Sequence, residues 1–188
     1  MRGIRKRVLA GVTGLLLAAT AAGSAQAATP AQKGALSYEQ TLRKIRSELV
    51  TLPYYGVFDN LAYKVEGSTV TLYGQVVRPS TRKDAERRVS RIPGVERVVN
   101  NIEVLPLSGF DDSLRVGTLR AIQRTGSLYR YFLGANPSIH IVVNRGHVTL
   151  EGVVANEGDR RLAYIAARGV PGAFTVTNNL RSERGGRY

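Results

Sequence analysis

The sequence predicts an α+β protein made of two tandem α-β-β-α-β units, each a small three-stranded sheet with helices packed on one face. One observation behind this is an internal repeat. When the chain is shifted by 78 residues, twelve of the 33 positions from Val70 to Ile102 are identical. The other is that apolar residues in both copies switch between helical and strand spacing in the same order. Because units of this size bury little surface alone, the copies are expected to pack on each other.

Each copy begins with a helix followed by two strands. In copy one, Leu42, Ile45 and Leu49 recur at helical spacing. Apolar and polar side chains then alternate over residues 61–66 and 69–77, with a glycine-containing turn between these ranges. Copy two repeats this order, and its markers are Leu119, Ile122, Ile139, Ile141, Val143, a turn at Arg145-Gly146 and a strand at 147–154.

A second helix and a last strand complete each copy. The helix of copy one is expected to open at Thr81, with Asp84 three residues later, and that of copy two at Asn156, with Asp159 three residues later. Turns stop both helices, and the closing strands cover residues 96–104 and 173–181. The turn residues are Pro93, Gly94, Pro171 and Gly172.

Other repeated residues are assigned structural roles. Gly74 and Gly152 lie inside strands, where we expect helix packing to leave no room for a side chain. Each copy has one asparagine pair in its last strand, and we expect the pair to cap or bond the backbone at the strand entry. The paired residues are Asn100, Asn101, Asn178 and Asn179.

The first 27 residues predict a cleaved export signal. A basic start precedes an apolar run of about 16 residues, and small residues at Ala25 and Ala27 suit cleavage after Ala27. A run of this length is marginal for a bilayer span, so an uncleaved anchor is the alternative. The remaining segments are a linker at 28–36, copy one at 37–106, a linker at 107–110, copy two at 111–182 and a basic tail at 183–188.

The motifs of the repeat resemble the BON (bacterial OsmY and nodulation) domain. The resemblance lies in Gly-x-x-Val-Thr-Leu-x-Gly-x-Val from Gly67, a helix containing Ala85, then Pro-Gly and a closing Val-x-Asn-Asn. Copy two departs slightly, because its turn glycine, Gly146, lies one position later. The resemblance implies an exported, non-enzymatic protein without a cofactor, which binds phospholipid membranes and supports the envelope under osmotic stress.

Composition argues against catalysis and metal binding. The chain has no Cys, which excludes disulfides, thiolate nucleophiles and a lipid anchor on cysteine. Its two histidines, His140 and His147, have no carboxylate placed beside them, and this is a poor metal site. No catalytic triad, carboxylate pair or phosphate loop is present in the sequence. We therefore expect neither an enzyme nor a metal or other cofactor.

Charge and aromatic residues indicate where a membrane could be contacted. The formal net charge is +13, and the second helix of copy one is rich in outward-facing cations, which would attract anionic headgroups or simply be solvated. In copy two, aromatic residues mix with arginine as at a bilayer interface, although Phe132 and one of Tyr54 or Tyr55 are expected in the core. The candidate lipid contacts are Arg82, Lys83, Arg87, Arg88, Tyr129, Arg130 and Tyr131.

These observations predict a peripheral binder of anionic phospholipid surfaces in the periplasm or another exported location. Export makes intracellular nucleic acid an improbable partner. One alternative is a protein-interaction module of the envelope, because small open sheets have edges that can pair with another chain. Another is capture of acidic polymers such as lipopolysaccharide, teichoic acid or extracellular DNA, which the basic charge would favour.

Overall fold

The computed structural model describes residues 36–183, which form two copies of one α-β-β-α-β unit. The predicted leader with its cleavage point, most of the first linker and residues 184–188 lie outside the described residues. Copy one consists of α1 (Tyr38–Val50), β1 (Asn60–Glu66), β2 (Thr69–Val76), α2 (Pro79–Val89) and β3 (Arg97–Val104). Copy two consists of α3 (Gly109–Gln123), a 3-10 turn (Leu128–Phe132), β4 (Ile139–Asn144), β5 (His147–Val154), α4 (Glu157–Arg168), β6 (Thr175–Asn178) and β7 (Arg181–Ser182).

The two sheets have the same topology. In copy one the order is β1-β2-β3, with β1 antiparallel and β3 parallel to the central β2. In copy two β5 is central, β4 is antiparallel to it, and β6 and β7 pair with it in parallel. The predicted last strand of copy two is thus divided in two, and the α+β fold class is confirmed.

Each sheet packs one face against its helices to form a separate apolar core. Copy one buries Ile45, Leu72, Val76, Ala85 and Ile102, and copy two buries Ile122, Leu128, Ile141, Leu150 and Ala163. On the helices the buried residues recur four positions apart, as Ile45 and Leu49 do, while the strand residues occupy one face of the pleat. The predicted alternation along each copy is therefore what selects the buried face.

The start of α2 differs from the prediction. The helix begins at Pro79, two residues before Thr81, and the N-cap Arg78 makes no side-chain capping bond. Proline suits the first helical turn because its missing N–H would have had no helical partner there. Thr81 is instead buried against the core. In α4 the expected cap is confirmed, since the Asn156 side chain accepts a bond from the Asp159 N–H at 2.9 Å.

Gly74 and Gly152 are required for a reason other than the expected helix packing. Their φ angles are 112° and 120°, which L side chains rarely adopt. A Cβ at Gly74 would lie 2.0 Å from the Asn60 carbonyl oxygen, and one at Gly152 would lie 2.0 Å from that of Ser138. The neighbouring strand backbone, rather than a helix, therefore excludes the side chain.

The first asparagine of each pair bonds the backbone, and the Pro-Gly motifs form turns. Asn100 donates from Nδ2 to the Arg82 carbonyl at 3.1 Å, and Asn178 donates to the Arg160 carbonyl at 3.0 Å, which ties each last strand to the preceding helix. Asn101 and Asn179 are exposed, and Asn179 donates to Glu151 at 2.7 Å. Gly94 and Gly172, which follow Pro93 and Pro171, have φ angles of 89° and 92°.

The copies pack on each other, as expected. The segment before β1 runs along the free edge of β4, where the Ile141 N–H donates to the Val57 carbonyl at 2.7 Å. Val57 and Phe58 pack against the core of copy two, although they belong to copy one. The described residues accordingly fall in one compact unit.

Candidate functional site

The outer face of α4 exposes large apolar side chains between two cations. Ala163 and Ala167 face the core and are fully buried, so the opposite side of the helix points to solvent. Leu162 is 41% exposed and Ile165 is 64% exposed on that side. Arg161 and Arg168 flank them on the same side and are also exposed. Exposed aliphatic residues grouped in this way indicate a contact surface.

Two exposed phenylalanine rings lie close together near the turn that follows α4. Phe110 is 51% exposed and Phe174 is 69% exposed, with 6.0 Å between their ring centroids. They fit closely over glycines: a Cβ at Gly146 would lie 2.7 Å from the Phe174 ring, and one at Gly172 would lie 3.2 Å from Phe110. The helix face and the two rings are called the apolar-basic surface below; it comprises Phe110, Arg161, Leu162, Ile165, Arg168 and Phe174.

Local contacts hold the cations of α4 in place. The Arg161 Nε lies 3.5 Å from a Glu157 carboxylate oxygen, one turn earlier. The Arg168 guanidinium carbon lies 5.7 Å from the centroid of the Tyr164 ring. Both contacts are on the helix surface, so each guanidinium can still meet an anion from solvent.

The equivalent surface of copy one is polar. Shifting by 78 residues places Asp84 at the position of Leu162 and Arg87 at the position of Ile165, and these two side chains form an ion pair at 2.6 Å. Glu96 stands where copy two has Phe174. On α2, which is described throughout, no large apolar side chain is exposed.

The predicted cations of α2 do not form one free cluster. Arg82 and Lys83 are exposed. Arg88 is half-buried and contacts the Glu48 carboxylate of α1 at 3.4 Å. Arg87 is paired with Asp84, whereas Arg82 and Lys83 on the helix and Arg91 just after it are exposed without an acidic partner within 4.0 Å among the described residues.

The expectation that Tyr131 presents an exposed ring is wrong. Its side chain is 8% exposed, because the 3-10 turn directs it into the core of copy two. The Tyr131 hydroxyl donates to the Asp159 carboxylate at 2.5 Å and accepts from the Ala155 N–H at 2.9 Å. Arg130 pairs with the same carboxylate, so it also has a structural partner. Tyr129 is 55% exposed and remains a candidate lipid contact.

Two of the aromatic residues considered for the core, Phe132 and Tyr55, pack against it. Phe132 is half-buried and packs against the core of copy two. Of the pair in copy one, Tyr55 packs against that core, while Tyr54 is exposed.

The histidines lie apart and face different surroundings. His140 is half-buried at the contact between the copies, with Nδ1 3.3 Å from the Gly56 carbonyl oxygen and its ring near Tyr55. Burial lowers the pKa of His140, against the raising effect of Gly56 and Asp59. His147 is exposed and bonds Thr175. Among residues 36–183, no group of three or more His, Cys, Asp or Glu side chains is arranged to hold a metal ion.

Sequence reasoning missed the apolar-basic surface because Leu162 and Ile165 have the composition expected of a core stripe. The distinguishing signal is the pair Ala163 and Ala167, whose spacing of four marks the inner face of a closely packed helix. Once alanines are assigned to the inside, the larger aliphatic side chains must point outward.

A search of the helices between residues 36 and 183 finds none with the length and hydropathy of a bilayer span.

Comparison with known proteins identifies the repeated unit. The family model described as "BON domain" matches twice, at residues 39–106 and 127–184. No curated protein matches the chain. This chain shows a weak similarity to two solved structures of CdsD, a structural protein of the type III secretion system of Chlamydia trachomatis. They are 10% and 14% identical, have TM-scores of 0.29 and 0.27, and in both cases the match covers 77% of this chain; it covers 98% and 94% of the CdsD chains.

BON domains are non-catalytic binding domains that are associated with the bacterial envelope and linked to membrane or protein binding. The two matches cover more than half of the chain and fall on the repeated motifs. The chain therefore belongs to the BON domain family and is a tandem-BON protein.

Proposed function

We propose that this protein is exported to the cell envelope and attaches peripherally to anionic phospholipid membranes through the apolar-basic surface of copy two. The observation that carries the proposal is the outer face of α4, where Leu162 and Ile165 are exposed between Arg161 and Arg168. Such an arrangement suits the bilayer interface, because aliphatic side chains enter the headgroup region while cations meet lipid phosphates.

The energies involved favour reversible attachment. Full burial of a Leu, Ile or Phe side chain contributes roughly 1.5–3 kcal/mol, and shallow insertion contributes a fraction of this. Each arginine near an anionic surface adds about 1 kcal/mol. Four apolar side chains and two cations together stabilise a peripheral complex, but they do not approach the stability of a membrane-spanning helix.

The cations elsewhere on the molecule act at longer range. Arg82, Lys83 and Arg91 on copy one are exposed and contribute to the strongly basic charge of the chain. Their attraction to an anionic bilayer is screened by salt, whereas apolar insertion is not. Tyr129 is a further proposed contact, because its exposed ring also belongs to copy two. Arg130 is a weaker candidate, since it pairs with Asp159.

The test is co-sedimentation of the purified protein with phosphatidylcholine vesicles that contain or lack phosphatidylglycerol. The variant Leu162→Asp with Ile165→Arg gives α4 the pair that α2 has at the equivalent positions, and it leaves the net charge unchanged. We expect this variant to bind anionic vesicles at least tenfold more weakly than the wild type. The matched control, Asp84→Ala with Arg87→Ala, also conserves net charge and should bind as the wild type does.

Three results would contradict the proposal. Equal binding of the wild type and the Leu162→Asp, Ile165→Arg variant would exclude α4 as the contact surface. Salt-sensitive binding to soluble acidic polymers with no preference for vesicles would favour polymer capture instead. Self-association that is insensitive to salt and needs no lipid would favour the protein-interaction alternative.

At the level of the cell, we propose that membrane attachment supports envelope integrity under osmotic or envelope stress. A strain that lacks the protein is then expected to lose viability after osmotic shock. Wild-type protein should restore viability, and the Leu162→Asp, Ile165→Arg variant should not.

A further inference from the structure

A cleft of about 660 Å³ lies where copy one meets copy two. Copy one contributes α1 and β1, including Arg46, Leu49 and Tyr63. Copy two contributes the segment before β4, the end of β5, and β7 with Arg181. Cavities that hold small molecules usually measure roughly 300–1,000 Å³, so this cleft has the size of a ligand site. It is formed by different residues from those of the apolar-basic surface.

One arginine from each copy lines the cleft. Arg46 belongs to α1 and Arg181 to β7, and both are exposed. Within residues 36–183, no carboxylate oxygen lies within 4.0 Å of either guanidinium. Glu183 is the one acidic side chain among the lining residues. Guanidinium groups that share a cavity and have no acidic partner among the described residues favour an anion, above all a phosphate or a carboxylate.

The rest of the lining combines ring and aliphatic side chains with polar groups. Tyr55, Tyr63 and His140 present rings, while Leu49, Leu61 and Val153 add aliphatic surface. Burial raises the pKa of Tyr55 to about 12, so its hydroxyl stays protonated and can donate a hydrogen bond. Walls of this kind favour a ligand with a ring or a short apolar body rather than a bare inorganic ion.

The position of Arg181 is specific to copy two. The equivalent residue of copy one, 78 positions earlier, is Glu103, which has the opposite charge. Neither copy contains both arginines, because Arg46 comes from the first helix of copy one and Arg181 from the last strand of copy two. The cationic cleft therefore exists only when the two copies pack together.

We propose that the cleft between the copies binds a small organic anion, in which a phosphate or carboxylate group contacts Arg46 and Arg181 and a ring or short apolar body lies against the tyrosines. The ligand bridges the two copies and holds them in their packed arrangement. This site is independent of the proposed membrane surface, since neither Leu162 nor Ile165 lines it.

The test is a titration of the purified protein with phenyl phosphate, followed by amide NMR without any vesicles present. We expect saturable shifts of cleft amides, among them Gly152, Val153 and Ala155. The variant Arg46→Gln with Arg181→Gln should weaken binding at least tenfold. Arg43→Gln removes a cation from the exposed side of α1 outside the cleft, and it should leave the affinity within twofold of the wild type.

Further probes identify the parts of the ligand. Inorganic phosphate and benzyl alcohol carry the anion and the ring separately, and each should bind more weakly than phenyl phosphate. Dihexanoyl phosphatidic acid that binds more tightly than phenyl phosphate would assign the anion to a lipid headgroup, and weaker binding would assign it to a soluble compound.

The proposal is overturned if phenyl phosphate gives no saturable shifts in the cleft, or if the double arginine variant binds it as the wild type does. Because Arg46 and Arg181 are exposed, the variant is expected to fold, and its unperturbed amide spectrum verifies this. Loss of vesicle binding in the Leu162→Asp, Ile165→Arg variant leaves this titration unaffected, so the two proposals fail separately.

Discussion

Helices α2 and α4 occupy equivalent places in the two copies, yet they present opposite surfaces to solvent. Their inner faces are alike, since Ala85 and Ala163 are both fully buried. Outside, the Asp84–Arg87 ion pair of copy one corresponds to Leu162 and Ile165 of copy two. The duplicated fold thus constrains the residues that pack inside, while the exposed positions are free to acquire a separate function.

The two copies also differ in polarity at the position that precedes the last strand. Glu96 of copy one bonds the Ser68 hydroxyl at 2.8 Å and stays polar, whereas the equivalent Phe174 of copy two packs beside Phe110 with both rings exposed. Copy one instead provides accessible cations and the segment that covers the edge of β4. We interpret copy two as the contacting copy and copy one as its support.

The largest expected effect tests what the copies share. Gly74→Ala in copy one and Gly152→Ala in copy two each place a methyl group 2.0 Å from a carbonyl oxygen of the adjacent strand, at positive φ. We expect each change to lower the free energy of unfolding by about 4 kcal/mol or more, measured by urea denaturation. Gly56→Ala is the control, because its new Cβ meets nothing within 4 Å, and it should change stability by less than about 0.5 kcal/mol. A tolerated Gly152→Ala would show that the copies differ in their sheets as well as on their surfaces.

A second prediction concerns a polar network found in copy two. Tyr131→Phe removes the hydroxyl that donates to the buried Asp159 carboxylate and accepts from the half-buried Ala155 N–H. We expect a loss of about 1–3 kcal/mol in the free energy of unfolding, because a buried carboxylate and a half-buried N–H each lose a partner. Tyr129→Phe is the matched control and should have no measurable effect, since Tyr129 is exposed. Equal effects of the two changes would argue against the buried network.

A third prediction transfers the surface of copy two to copy one. Asp84→Leu with Arg87→Ile gives α2 the exposed pair of α4 and conserves net charge. We expect this variant to bind anionic vesicles several-fold more tightly than the wild type, by co-sedimentation, because a second apolar face adds contact area. The same change in the Leu162→Asp, Ile165→Arg background should restore part of the lost binding. No gain in either background would mean that the exposed pair is insufficient without Phe110 and Phe174.

The smallest expected effect concerns the contact between the copies. The pKa of His140 is lowered by burial from its ordinary 6.5, so the unfolded chain binds a proton that the folded protein binds less readily. Stability therefore falls as pH decreases through 6.5 toward the lowered pKa. The urea concentration at the unfolding midpoint should fall as pH is lowered from about 7.5 to about 5.5, and we expect His140→Gln to make that loss smaller. His147→Gln, at an exposed ring, should leave that loss unchanged, and an identical pH response of both variants would contradict a role for burial.

Much of the fold could be predicted because the repeat is strong. Strand alternation, the Pro-Gly turns and the Asn156 cap all depend on residues near each other in sequence, and the structure confirms them. The start of α2 was missed because Thr81 followed by Asp84 imitates a capping pair, although Pro79 already fits the first turn.

The site was less predictable, since it depends on which way each side chain points. Tyr129 and Tyr131 are two residues apart in one aromatic stretch, and only the 3-10 turn decides that one is exposed and the other buried. Leu162 and Ile165 resemble core residues until Ala163 and Ala167 are seen to occupy the inside. Arg46 and Arg181 are far apart in sequence, and tertiary packing alone brings them to one cleft.

The most direct test of the central claim uses the absence of cysteine from the sequence. Ile165→Cys and Arg87→Cys, in separate proteins, place an environment-sensitive fluorophore at equivalent positions of copy two and copy one. With anionic vesicles, the probe at position 165 should shift to shorter wavelength and be quenched by lipids labelled near the headgroup, while the probe at position 87 should stay in water. A shift at position 87 that equals or exceeds the shift at position 165 would contradict the account.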